Sequence, residues 1–289
     1  MDQMGDFSPP HELSNVAHKT VHDERIESVF FVKVVRRPQY HGQIIQYLRN
    51  SFHMTLAEAR ETIAAPFFAT AFMVHEDGDL GYLLTCCHLL KDLYSDEHEL
   101  TLERARWFKF LVLCKHNERY MAINFPDLYN LNYDPRNYTQ ACPVKVDQGR
   151  DLLLLQIDMA SLYGSVYPDW CELPHPPLQL AQHWPRELDD VVMISWPPNR
   201  CDTVVIGQVV NFRNHHQITA DRTKGYFMDL IELKINGQEG TSGSPVLDHN
   251  GFVTSMYHGR LEGKGYAVSL DDIDEFLYSD DEDDEEEED

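Results

Sequence analysis

Short apolar runs, broken by turn residues roughly every 8–15 positions, constrain this chain more than any other pattern in it. Runs of that length bury a strand but not a helix, so such a chain must fold by pairing them into sheets. Fifteen prolines reinforce the point, because proline interrupts helices and marks turns and strand edges. The spacing predicts strands at 28–35, 67–75, 80–86, 108–115, 118–125 and 151–158, then at 190–195, 203–212, 226–234, 245–248, 251–257 and 264–270. Between the sets, Tyr163 to Pro177 carries Pro168, Pro174, Pro176 and Pro177 and reads as an extended linker. The 289 residues suffice for one large core or two small ones, and the composition reads as all-β.

Chemistry concentrates in three of these segments. Gly240-Thr241-Ser242-Gly243-Ser244-Pro245 is a small-residue turn whose glycines permit dihedrals closed to other residues and leave the Ser242 hydroxyl open. The backbone N–H groups of Gly240 and Ser242 could converge on one spot as donors to an oxyanion. Tyr82-Leu83-Leu84-Thr85-Cys86-Cys87-His88 ends an apolar strand on a histidine, and Asp151 opens the strand Leu152-Leu153-Leu154-Leu155. Singly, these are an inter-strand loop, a satisfied histidine and a strand cap. Together they supply a nucleophile, a base to deprotonate it and a carboxylate to fix the tautomer of that base.

In this order the chain resembles the trypsin/chymotrypsin-like serine proteases, and most of all their Deg, or high-temperature-requirement, branch. The similarity spans roughly residues 67–277. Phe68-Ala69-Thr70-Ala71-Phe72-Met73-Val74 resembles the branch's G-S-G-F-I-I strand, and Leu83 to Leu90 its L-T-N-x-H-V-V. Asp151-Leu152-Leu153-Leu154-Leu155-Gln156-Ile157 is similar to D-L-A-V-L-K-I, and Val191 to Pro197 to V-x-A-I-G-N-P. Thr203 to Val210 follows T-V-T-x-G-I-V-S, Gly240 to Val253 follows G-N-S-G-G-P-L-V-N-x-x-G-x-V, and Gly265-Tyr266-Ala267-Val268 follows G-F-A-I.

The resemblance implies two six-stranded antiparallel β-barrels with few helices and the active site in the cleft between them. Residues 28–162 would form the first barrel and 178–278 the second, with a C-terminal helix; 1–27 would be a polar arm, 163–177 the linker and 279–289 an acidic tail. It also implies Ser242 as nucleophile, His88 as general base and acid, Asp151 as orienting carboxylate, and Gly240 and Ser242 as oxyanion donors. The primary specificity pocket would lie between Ile235–Gly240 and Tyr257-His258-Gly259, with Gly265-Tyr266-Ala267 as third wall. Asn236 stands where relatives that cleave after Arg and Lys carry an aspartate, so apolar side chains are expected there. Glu239 is close enough to restore the charge by turning inward. Two departures stand out. Ser244 replaces a glycine and would crowd the turn, and Thr241 replaces the aspartate that receives a freshly cut N-terminus in trypsins, so activation by that route is not expected. No peptide-sensing PDZ-like segment follows the protease region.

Two segments exceed a minimal protease of this kind. Residues 36–66 contain Leu56-Ala57-Glu58-Ala59-Arg60-Glu61-Thr62-Ile63, of helix-forming composition with Thr55 as cap; this is a surface helix or, more sharply, a lid or homo-oligomer contact. Residues 126–148 read as a polar loop whose tyrosines either line the cleft or stand exposed.

Charge bounds the partners. The formal net charge is −24, and Asp280 to Asp289 are all acidic. An acidic body offers no counterion release to nucleic acid and no attraction to an anionic membrane. The tail cannot bury apolar area and reads as disordered; it serves solubility, docking to a basic protein, or regulation through Ser279. Six cysteines form no Cys-x-x-Cys unit, the N-terminal MDQMGDFSPPHE has no basic-then-apolar leader, and no stretch is long enough to span a membrane. Reduced thiols in cytoplasm or nucleus, rather than secretion, are expected. His215-His216 and Cys171-x3-His175 are weak ligand patterns, so no metal and no cofactor is expected.

The leading function is a serine endopeptidase acting on protein or peptide substrates. The alternative is an inactive scaffold of the same fold that binds proteins, blocked by Ser244 or a lid. An α/β-hydrolase is disfavoured, since its partners follow the serine in the order acid then histidine.

Overall fold

The computed structural model describes residues 15–116, 138–162, 174–198, 203–215, 224–261 and 263–279. Twelve strands close into two barrels. The first comprises β1 (Val29–Arg36), β2 (Phe67–Asp77), β3 (Leu80–Cys86), β4 (Phe108–Cys114), β5 (Thr139–Asp147) and β6 (Leu152–Asp158), in the spatial order β1-β2-β3-β6-β5-β4. The second comprises β7 (Asp190–Ser195), β8 (Thr203–His215), β9 (Asp229–Leu233), β10 (Pro245–Leu247), β11 (Val253–Leu261) and β12 (Lys264–Val268), in the order β10-β11-β12-β9-β8-β7. Every pairing is antiparallel, and closure leaves no long unpaired sheet edge.

The period-two alternation of strands explains how both barrels share a core. In β7, Val191 and Met193 point into the second barrel with Ile231, Leu233 and Val246, whereas Val192 and Ile194 join the cluster that includes Phe30, Phe72 and Leu84 of the first. In β1, Phe30 faces that cluster while its neighbour Phe31 packs with Leu113 against Trp196 of the second barrel. Apolar faces on both sides of the same strands therefore weld the barrels together.

The first barrel's fifth strand is Thr139–Asp147, a stretch the sequence reading assigned to a polar loop; the expected strand 118–125 lies outside the described residues. The alternation was masked by polar and kinked positions. Thr139 and Ala141 are buried while Gln140 and Cys142 are exposed, and the register shifts between Pro143 and Lys145, as suits a proline that cannot donate to the ladder. The tyrosines of 126–137 fall outside the described residues, as do the linker residues 163–173 and the tail 280–289.

The remaining elements are helical. Helix α1 (Asn15–Arg25) lies within the stretch read as a polar arm and buries Val21. The insertion folds as α2 (His41–Ser51) and α3 (Leu56–Thr62). Thr55 caps α3 reciprocally: its hydroxyl accepts from the Glu58 N–H, and the Glu58 carboxylate accepts from the Thr55 N–H at 2.7 Å. Ile44, Leu48 and Ala59 bury this hairpin on the first barrel. Helix α4 (Leu270–Tyr278) starts at Ser269, whose hydroxyl accepts from the Asp272 N–H, and it buries Ile273 and Phe276. Past the linker, Leu178 donates to the Met73 carbonyl at 2.8 Å and Leu180 bridges to Val253, so this strand of chain touches both barrels in turn. Among the described residues, no helix is long and apolar enough to cross a membrane.

Candidate active site

His88 and Asp151 come from adjacent strands of the first barrel. β3 delivers His88 just beyond its last residue, and β6 begins one residue after Asp151. Asp151 sits at φ 59°, a left-handed conformation that aspartate tolerates better than most side chains. The turn is fixed by the Asp151 N–H donating to Gln148 at 3.1 Å and by Asp147, which accepts from the Arg150 N–H at 2.9 Å. Arg150 also pairs with the Asp147 carboxylate at 2.8 Å, with Asp272 at 3.3 Å and with Glu275, which moors α4 of the second barrel to the turn that presents Asp151.

The Asp151 carboxylate is completely buried and accepts three hydrogen bonds. One oxygen takes the His88 backbone N–H at 2.7 Å; the other takes His88 Nδ1 at 2.6 Å and His258 Nδ1 at 2.5 Å. Burial alone would raise its pKa, but the two imidazoles outweigh that effect and hold it well below the usual carboxylate range. Burial likewise pulls His88 down, and the Asp151 charge overrides it, so His88 titrates well above an ordinary histidine. With Nδ1 committed to the carboxylate, the other ring nitrogen, Nε2, faces the Cys86 thiol at 3.6 Å.

His258, assigned from the sequence to the pocket wall, is thus a second partner of the buried aspartate. A register shift in β11 between Tyr257 and Gly259 turns it inward, a redirection that no sequence pattern announces. Its ring is wedged between His88, with centroids 5.1 Å apart at 78°, and Tyr226, at 5.5 Å and 88°. Tyr226 and Tyr94 share a 2.9 Å hydroxyl contact behind it, and burial pushes both phenols well up, so they stay neutral. His88, Asp151 and His258 are close enough together to be considered as metal ligands, yet both imidazoles already spend their Nδ1–H on the carboxylate.

Ser242 lies half-buried on the turn before β10. Its hydroxyl donates to the His258 carbonyl at 3.2 Å, and among the described residues no hydrogen bond joins it to His88. Gly240 and Gly243 adopt φ 86° and 80°, as the small-residue turn required. No hydrogen bond within the described residues engages the N–H of Gly240 or Ser242. Ser244 is fully buried; its N–H donates to Thr241 at 3.2 Å and its carbonyl accepts from Tyr257 at 2.8 Å, while its hydroxyl finds no hydrogen-bond partner among the described residues. Thr241 points its hydroxyl at the Gln238 carbonyl, 2.7 Å away.

Thr70 of β2, unremarked in the sequence, holds this turn against the first barrel. Its N–H donates to the Ser242 carbonyl and its hydroxyl to the Gly240 carbonyl, both at 2.9 Å, while the same hydroxyl accepts from the Trp196 N–H at 2.9 Å. Gly243 fits only because it lacks a side chain: a Cβ there would come within 2.2 Å of the Thr70 carbonyl and 2.5 Å of the Thr85 hydroxyl. Gly243→Ala is therefore expected to cost about 3 kcal/mol or more and to displace Ser242. Chemical denaturation would check this; wild-type stability in the variant would mean that the turn is looser than its contacts imply.

The expected specificity pocket is largely filled. Tyr257 is 1% exposed, and its ring lies between Gly237 and Gly265: a Cβ on Gly237 would reach 2.5 Å from the phenol oxygen, and one on Gly265 would reach 3.1 Å from the ring. Asn236 and Glu239 are both exposed rather than sunk in a pocket floor. Ala267 is buried behind the pocket, and Gly259 opens towards free space.

A family model for the trypsin-like peptidase domain matches residues 69–256, which include His88, Asp151 and Ser242 but stop short of His258. Among curated proteins no relative matches the sequence. Solved structures share the architecture at low identity. The active form of the Rv3671c protease from M. tuberculosis is 14% identical, with 96% of this chain and 92% of that one covered, at a TM-score of 0.53. Deg5 is 14% identical over 91% and 94% of the two chains at 0.54, and a serine endoprotease from Yersinia pestis 16% identical over 93% and 67% at 0.54. The paired closed barrels, the buried aspartate at the seam and the matched span agree: the chain belongs to the trypsin-like peptidase domain family.

Proposed function

We propose that this protein is a serine endopeptidase working through an acyl-enzyme on Ser242. The observation that carries the reading is the fully buried Asp151 carboxylate holding His88 Nδ1 at 2.6 Å and His258 Nδ1 at 2.5 Å, with the Ser242 hydroxyl on the His258 carbonyl at 3.2 Å. In the reaction the Ser242 hydroxyl turns from the His258 carbonyl towards His88 Nε2, gives up its proton there and attacks the peptide carbonyl. The N–H groups of Gly240 and Ser242 stabilise the resulting oxyanion. His88, now cationic and held by Asp151, passes the proton to the departing amine. Water repeats the sequence to release the acid.

Covalent labelling by a fluorophosphonate separates this reading from that of an inactive scaffold. Wild-type protein takes up one probe per chain and Ser242→Ala takes up none. Absence of labelling in well-folded wild-type protein would favour the scaffold.

Tyr257 sets the expected substrate preference. With its ring in the pocket and Glu239 exposed rather than turned inward, a cationic side chain would be stranded unpaired and a large one excluded. Cleavage after small apolar residues is expected, and Tyr257→Ala should widen the preference to larger ones. A peptide library reads both; preference for Arg or Lys at the cleaved position in the wild type would refute the assignment.

Cys86, Cys87, Cys114 and Cys142 form no disulfide, which suits a reducing compartment such as cytoplasm or nucleus. The acidic C-terminal run suits a basic protein partner.

A further inference from the structure

A second cluster of ligand-type side chains lies away from the cleft and shares no residue with it. Cys114 ends β4, His116 follows two residues on, and His175 arrives from the stretch that leads into the second barrel. Their donor atoms all lie within 4.8 Å of one another. The grouping was invisible in the sequence because His175 stands far down the chain from the other two, and only the route of the linker brings it back.

The surroundings are those of a built site. Cys114 is fully buried, His175 is 1% exposed and the His116 side chain 12%. His175 donates Nδ1–H to the Glu27 carbonyl and also hydrogen-bonds the Cys114 side chain, an orientation of the kind by which metal-binding histidines are fixed. Its ring packs 5.1 Å from Phe30 and 5.2 Å from the His116 ring. The carboxylate of Glu27 comes within 3.6 Å of His116 Nε2 but lies outside the group of three, so water or a movement of Glu27 would complete the coordination. Beside it, the Ser28 hydroxyl donates to the Pro176 carbonyl at 2.5 Å, so the same edge of the barrel is pinned twice to the incoming chain.

We propose that Cys114, His116 and His175 bind a structural zinc ion. One soft sulfur and two imidazoles in a nearly closed pocket suit Zn²⁺ over the oxygen-seeking Ca²⁺ and Mg²⁺. Binding converts the Cys114 thiol to thiolate and releases its proton to solvent. The ion ties the end of β4 to the chain crossing to the second barrel, which His175 in turn fastens to the entry of β1 through the Glu27 carbonyl, so its role is to fix how the barrels are joined.

Elemental analysis of the full chain, purified without chelator, tests this. About one zinc per chain is expected, falling at least tenfold in Cys114→Ser and in His175→Gln but unchanged in His258→Ala. Should either variant fail to fold, metal-free wild-type protein titrated with Co²⁺ keeps the question open: a thiolate-to-cobalt charge-transfer band must appear. Less than a tenth of a zinc per chain together with no such band would overturn the proposal. So would zinc that is retained in folded Cys114→Ser or lost in His258→Ala, since the metal would then sit elsewhere.

Discussion

Ser242→Ala is expected to abolish acylation, and His88→Ala to come close, each lowering peptidase turnover by about 10⁴–10⁶-fold. The hydroxyl has no reactivity of its own at neutral pH, and the nitrogen proposed to activate it is His88 Nε2, because Nδ1 is fixed on Asp151 at 2.6 Å. The two groups act in one proton transfer, so the double variant should lose little beyond either single one. Single-turnover kinetics on a peptide ester would measure all three. Multiplying losses in the double variant would show that they act in separate steps, and an unchanged rate in purified Ser242→Ala would end the assignment.

Asp151→Asn should be nearly as severe, about 10⁴-fold, because an amide offers one acceptor oxygen where three N–H groups converge on two, and carries no charge to steady the imidazolium. It should also reshape the pH dependence of stability. A depressed carboxylate contributes stability that is present above its unfolded pKa, about 4, and lost as pH falls through the folded value. A raised histidine contributes stability that is present below its unfolded pKa, about 6.5, and lost as pH rises through the folded value. The melting-temperature difference between wild type and Asp151→Asn should therefore peak between about pH 4 and 6.5 and shrink on both sides. Catalysis needs His88 neutral, so the acid limb of kcat/KM should lie above pH 6.5, displaced from the window of greatest stability. A melting difference that stays flat with pH would mean that the pair is not charged in the fold.

Much of the site was legible because its chemistry is carried by whole strands. His88, Asp151 and Ser242 each follow or precede an apolar run, and their order survives as motif order. The barrels were legible for the same reason, except where alternation was disguised, as in Thr139–Asp147. What stayed hidden depends on contacts between segments remote in sequence. Thr70 looks like any strand residue until the nucleophile turn docks on it. His258 reads as pocket lining until the bulge in β11 turns it inward. Tyr257 looks like a wall and is in fact a plug, because glycines on two other segments leave it room.

The Thr70 bridge bears on how activity is born during folding. The turn carrying Ser242 belongs to the second barrel, but two of its carbonyls are held by a residue of the first. The turn therefore takes its final shape only when both barrels are in place. On the proposed role of Ser242, probe labelling in refolding should lag behind the burial of the barrel cores and rise with their docking, which would leave a newly made chain inert until its last large-scale step.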